Sequence, residues 1–191
     1  MARLIITADD FGLSESINEG VEIAFRRGIL TTASLMVAAP AAAAAIARAR
    51  RLPGLKVGLH LVLVEGRPAS SSDQVSALLK VDGAFLDNLF VAGLRFFFHP
   101  QARRQLAVEI EAQFRAFAAT GLELDHVNAH NHMHLHPTVL DLILKIGPQF
   151  GMRAMRVPQE PEGAIRGWCG RMARWGVAPW IWRLRVLRER R

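Results

Sequence analysis

Short runs rich in apolar and β-branched residues alternate along the chain with stretches of helical periodicity, and this alternation restricts the fold more than any other feature. "RLIITAD" (3–9), "TTASLMV" (31–37), "KVGLHLVL" (56–63), "ELDHVNA" (123–129) and "MRAMRVP" (152–158) read as five strands. Between the first two, Ser16 and Glu19 form an S-x-x-E capping box for a helix that runs to Arg27 and stops at Gly28. Residues 41–51 read as a second helix, and 64–83 as a loop. From 101 to 120, Leu106, Ile110, Phe114 and Phe117 fall at steps of four, four and three, which makes one apolar helical stripe. A further helix over 138–150 ends at Gly151. Strands and helices in this order build parallel βαβ units with the helices outside, an α/β fold. A complete (β/α) barrel uses eight strands and about 250 residues, so five strands on 191 residues predict a distorted, incomplete barrel.

With 51% hydrophobic and 21% charged residues, the chain can bury a core and does not have a disordered composition. The single cysteine, Cys169, excludes a disulfide framework and fits a reducing, cytoplasmic setting. "MARLIITADDFG" meets two aspartates too early for a secretory signal. The uncharged run "ILTTASLMVAAPAAAAAIA" (29–47) is mostly alanine and is split by Pro40, so it reads as a strand and then a helix rather than a membrane span.

The net charge of +7 belongs to one end. Residues 151–191 carry ten arginines against three glutamates and hold all four tryptophans, whereas residues 1–150 are neutral. This divides the chain into a domain over 1–158 and a basic Trp/Arg-rich helical tail over 159–191. A charged tail on a neutral body does not predict nucleic-acid binding. The tail can instead pack as a helix pair, the favoured reading, or rest peripherally on the inner membrane surface with its tryptophans at headgroup level.

Three groups of metal-capable side chains fall at the C-terminal ends of expected strands, where parallel α/β folds bind ligands. They are Asp9–Asp10, His60, and the run "HVNAHNHMHLHP" (126–137), which holds five of the seven histidines. Adjacent Asp9 and Asp10 point opposite ways from an extended backbone, so one can ligate while the other acts on water. Read as extended chain, the run places His126, His130, His132, His134 and His136 on one face, but ten steps of about 3.3 Å span roughly 33 Å. One ion can take at most two of them, such as His130 with His132. His99, before Pro100, reads as structural. The Asp10-Phe11-Gly12 tripeptide has no kinase catalytic loop ahead of it and is set aside.

Together "TADDFGLSESINEG", "VGLHLVLVEGRP" and "HVNAHNHMHLHP", with "RVPQEP" at 156–161, resemble the YdjC-like carbohydrate deacetylases, and within them the hopanoid-biosynthesis-associated HpnK branch. The resemblance runs from residue 3 to about 161. It implies a distorted (β/α) barrel that removes the acetyl group from an N-acetylated sugar with one divalent ion, Mg²⁺ or Zn²⁺. The natural substrate it implies is an N-acetylglucosaminyl hopanoid glycolipid. It implies Asp10, His60 and His130 as ligands and Asp9 as general base, with His132, His134 and Arg156 as supporting or substrate-facing candidates. Relatives run on past the point where this chain ends at "RLRVLRERR", so the resemblance also implies a truncated chain without a later acid-catalysis histidine. The competing expectations are an inactive metal-binding fragment and a phosphoesterase of similar architecture.

Overall fold

A computed structural model describes residues 4–158. The chain divides into two compact units, Met1–Met155 and Arg156–Arg191, and the architecture below is that of the first. The Trp/Arg-rich tail over 159–191 lies outside the described residues.

Four strands, β1 (Thr7–Phe11), β2 (Thr32–Leu35), β3 (Lys56–Leu61) and β4 (Leu124–Ala129), form one parallel sheet in the order β1-β2-β3-β4. Helices α1 (Glu15–Arg27) and α2 (Ala42–Arg50) occupy the first two crossovers. The third crossover is longer and holds α3 (Leu89–Phe98) and α4 (Pro100–Ala119), while α5 (Pro137–Ile146) follows β4. The chain is thus an α/β protein with a parallel core and flanking helices, as the alternation requires. The expected fifth strand is present, within the described residues, as one parallel bridge between Met155 and Val127. The 29–47 run becomes β2, a turn and α2, and no described helix is long and apolar enough to cross a membrane.

Two local readings change. The cap of α1 is Ser14, whose side chain accepts from the Ile17 N–H, while Ser16 lies inside the helix and meets the Ser14 hydroxyl. Helix α3, "LFVAGLRFFF", was not anticipated, because an almost wholly apolar segment shows no periodicity. His99 is structural in a specific way: its Nδ1 accepts from the Ala102 N–H and caps α4, with Pro100 in the first turn.

The two faces of the sheet differ. Ala33, Leu35, Val57, Leu59, Leu61, Val127 and Ala129 form one buried apolar core with the α4 stripe Leu106, Ile110, Phe114 and Phe117 and with Val139 and Ile143 of α5. Alternate positions present Thr32, Ser34, Gly58, His60, His126 and Asn128 to the other side, as the period of two dictates. Strands β1 and β4 are separated by two others, which at about 4.8 Å per strand is roughly 14 Å in a flat sheet. Yet Asn128 Nδ2 on β4 lies 3.0 Å from Asp9 Oδ1 on β1. The sheet is therefore strongly curled, with its polar face on the concave side.

Two buried polar side chains on the α4 stripe brace the segment after β3. Gln113 accepts the Val62 N–H at 2.9 Å and donates to the Val62 carbonyl at 2.7 Å and to Glu109 at 2.7 Å. Glu109, fully buried, accepts the N–H groups of Ala69 and Ser70 at 2.8 and 3.0 Å. A loop that passes over the core otherwise leaves those backbone groups unsatisfied.

Candidate metal centre

Asp10 and His60 each lie one residue before the end of their strands, β1 and β3, and His130 follows β4 directly. Curling brings these three ends together. One ligand atom from each lies within 4.8 Å of the others, and the three form the candidate metal-ligand group among the described residues. Asp10 Oδ1 is 3.2 Å from His60 Nε2 and 3.1 Å from His130 Nδ1, and the two rings meet edge to face with centroids 5.6 Å apart.

The donor set fits a cation. His60 is almost fully buried, and its Nδ1 is 2.6 Å from Asn128 Oδ1. Asn128 Nδ2 donates to Ser34 Oγ and to Asp9 Oδ1, both at 3.0 Å, which fixes the amide so that its oxygen faces His60. His60 therefore carries its proton on Nδ1, and Nε2 presents a lone pair toward a carboxylate that is itself only an acceptor. Nε2 has no aligned hydrogen bond despite its burial. Lone pairs converging without a proton between them are what a cation satisfies. On the other flank, His130 Nε2 lies 3.5 Å from Glu65 Oε2, and Asn131 Nδ2 donates to that same oxygen at 2.7 Å. Asp10 thus stands as a carboxylate flanked by two imidazoles, a mixed N/O donor set that suits a divalent cation.

Backbone strain gathers here. Among the described residues, the non-glycine residues with positive φ are Asp10 (59°), Glu65 (53°), Asn131 (51°) and His132 (55°), and all four lie in or beside the cluster. Each such residue costs on the order of 1–3 kcal/mol, a cost found where a site over-determines its backbone. The pairing of β1 with β2 also slips between Ala8 and Phe11, around the two aspartates. This corrects the expectation that Asp9 and Asp10 point to opposite faces. The bulge and the left-handed Asp10 turn both side chains to the concave face, Asp9 onto Ser34 and Asn128, Asp10 onto His60 and His130.

The histidine run is also corrected. It is extended only as far as Ala129; residues His130–Leu135 form a 3₁₀ segment with left-handed turns at Asn131 and His132. Pro137 opens α5, so the chain must turn before it, and Asn131 holds that turn through Glu65. The five imidazoles consequently scatter. His130 joins the cluster, His132 is exposed, and His134 is fully buried with its ring 5.9 Å from that of His132. His136 Nε2 donates to the Gly93 carbonyl at 3.0 Å, and burial lowers its basicity. His126 lies beneath Asp9, against Ser34. Arg156 is the first residue of the second unit. Sequence reasoning missed Asn128, Ser34 and Glu65; the only sign of the first two was their place on the same strand face as His60.

Comparison with known proteins shows the family. Residues 3–191 match the family model of the YdjC-like proteins. A carbohydrate deacetylase of Brevibacillus brevis is 36% identical over 151 residues, 78% of this chain and 56% of the relative. Carbohydrate deacetylases of Thermoanaerobacter pseudethanolicus and Vibrio vulnificus are 30% and 35% identical, over 87% and 84% of this chain and 65% and 59% of theirs. The chain thus spans less than two thirds of the length of these relatives. A crystal structure of an Enterococcus faecalis V583 protein named for cellobiose-phosphate cleavage superposes with a TM-score of 0.73 at 24% identity, over 83% of this chain and 60% of that one, which shows a shared fold. The family model covers nearly the whole sequence, and the chain belongs to the YdjC-like family.

Proposed function

We propose that this protein is a metal-dependent carbohydrate N-deacetylase, with Asp10, His60 and His130 as ligands of one divalent ion and Asp9 as general base. The observation that carries this reading is the convergence of the three ligand atoms within 4.8 Å, with a second carboxylate on the adjoining residue. The concave, polar side of a curled parallel sheet supports a (β/α)-barrel architecture for the domain over 1–158. The curated relatives are named carbohydrate deacetylases, and the motif resemblance to the hopanoid-associated branch supports an N-acetylglucosaminyl hopanoid as substrate. Such a substrate suits a cytoplasmic enzyme touching the inner membrane surface through its basic tail. Two imidazoles and a carboxylate suit Zn²⁺ by donor type, while the family resemblance favours Mg²⁺.

A divalent ion at these ligands supplies Lewis acidity to the attacking water and to the acetamide carbonyl. The protein's own groups do the rest. Asn128 fixes the His60 tautomer, so the lone pair on Nε2 is always presented. Asp9, held by Ser34 and Asn128, takes the water's proton as the water oxygen bonds to the carbonyl carbon. The C–N bond then breaks, and the amine leaves with a proton from the protein. Exposed His132 is our candidate donor, with buried His134 packed beside it and Arg156 a candidate for orienting the sugar.

The test is acetate release from N-acetylglucosamine derivatives by the full chain, with and without chelator, alongside metal content. The expected result is chelator-sensitive release, with Asp9→Asn retaining metal but losing activity by about 10²–10⁴-fold. Normal turnover in Asp9→Asn refutes the base assignment. Retained metal without acetate release points to a metal-binding protein, or, if phosphate monoesters are cleaved instead, to a phosphoesterase.

A further inference from the structure

Helix α3 is apolar on both sides. Ala92 and Phe96 face inward and are buried in the core. Phe90, Leu94, Phe97 and Phe98 fall within about 100° of one another around a helix of 3.6 residues per turn, and they form the opposite side. Phe90 and Phe98 keep 74% and 71% of their surface in water, and Leu94 and Phe97 keep 44% and 46%. The rings of Phe97 and Phe98 meet edge to face with centroids 4.9 Å apart. Single exposed apolar residues are ordinary on a protein surface, but four on one side of one helix mark an interaction surface.

Charge identifies the partner. From Leu89 to Val108 the chain carries Arg95, His99, Arg103 and Arg104 and no carboxylate. Arg103 and Arg104 are exposed in the first two turns of α4, and Arg95 is half-buried, with Nη1 donating to the Ala77 carbonyl. The carboxylates that precede the stretch, Asp82 and Asp87, are both engaged by Lys80. Phenylalanine and leucine on one face, with arginines and no acid beside them, is the composition of a helix that lies in the headgroup layer of an anionic bilayer. Two copies of this chain meeting face to face would instead bring together two stretches of the same sign, with no carboxylate in either to neutralise the charge.

The inner side of α3 is tied to the segments around the candidate metal centre. The Leu86 carbonyl, just before the helix, accepts the Glu65 N–H at 3.2 Å, and Glu65 lies against His130. The Gly93 carbonyl accepts from His136 Nε2, and the His136 ring meets those of Phe96 and Phe97 edge to face. His136 ends the turn that begins at His130. A surface that holds α3 therefore holds the segments on both flanks of His130.

We propose that α3 is an interfacial helix: Phe90, Leu94, Phe97 and Phe98 enter the surface layer of an anionic phospholipid bilayer while Arg103 and Arg104 meet its phosphates. Docked in this way, the protein presents its metal centre to a sugar carried on a lipid. That last step rests on the deacetylase reading above, whereas the docking does not.

The test is flotation of the full chain with vesicles of phosphatidylcholine, alone or mixed with phosphatidylglycerol. Wild type should float with the mixed vesicles, and less of it as salt rises. The variant Phe90→Ser/Phe98→Ser should unfold at the wild-type temperature, because both rings are largely exposed, yet bind at least about tenfold more weakly. Arg103→Gln/Arg104→Gln should weaken binding to the mixed vesicles by about 30-fold. Undiminished binding in the phenylalanine variant means docking through another surface, the basic tail included, and overturns the proposal. So does a wild-type chain that ignores vesicles and instead self-associates in sedimentation velocity. A nitrobenzoxadiazole label on Phe98→Cys, in a Cys169→Ser background, should shift its emission to the blue when mixed vesicles are added; a label that stays in water while the protein floats also overturns it. Vesicle binding through α3 without acetate release leaves the docking standing and refutes the deacetylase reading alone.

Discussion

The two faces of the sheet are made by the same four strands and differ by a step of one residue. Leu59 and Leu61 face the helices; His60, between them, faces the cluster. On the apolar face, packing with the hydrocarbon side chains of α4 and α5 supplies stability. On the concave face the contacts are hydrogen bonds among Asp9, Ser34, His126 and Asn128, next to lone pairs with no proton between them. Burial of a large apolar side chain contributes about 1.5–3 kcal/mol, whereas left-handed residues such as Asp10 and Asn131 each cost stability. The strands thus hold the fold together with one side and use part of that stability for chemistry on the other.

Substitutions on the two faces should separate cleanly. Phe114→Ala, at a fully buried position in the apolar core, should destabilise the domain by about 3–5 kcal/mol in chemical denaturation; a cost below about 1 kcal/mol would show that α4 does not anchor the sheet. Gln113→Ala sharpens the comparison because it sits on the same stripe but serves the backbone of Val62. It should cost about 1–3 kcal/mol and speed amide exchange over 62–70, where Glu109 also holds Ala69 and Ser70. Slow exchange there in the variant would break the claim that α4 braces the segment carrying Glu65. The smallest stability effect should come from the concave face: Asp10→Ala should change metal-free stability by less than about 1 kcal/mol while abolishing the stabilisation gained from added divalent ion.

What was legible in the sequence follows the same division. The α4 stripe is a local pattern, and Leu106, Ile110, Phe114 and Phe117 are buried as their spacing requires. That three metal-capable groups meet at one end of the sheet was legible because parallel strands gather their C-terminal ends, whereas the choice of Asp10 and of His130 within those groups came only from the family resemblance. The polar network was not, since Asn128 and Asp9 are 119 positions apart and meet only because the sheet curls. The turn at Asn131 and His132 was hidden for a similar reason: its partner, Glu65, lies 66 positions away. Alternation within "HNHMHLH" imitated a strand, and Pro137 was the one local sign that the strand had to end. Glu109 and Gln113 could have been found, since two polar residues at i and i+4 sit on an otherwise apolar stripe.

Calorimetric titration of the metal-free full chain with Zn²⁺ or Mn²⁺ tests the central claim most directly. One ion per chain should bind to the wild type and to His132→Ala, and Asp10→Ala, His60→Ala and His130→Ala should each abolish that binding. Undiminished binding in any of those three, or loss of binding in His132→Ala alone, would contradict a single centre built from these strand ends.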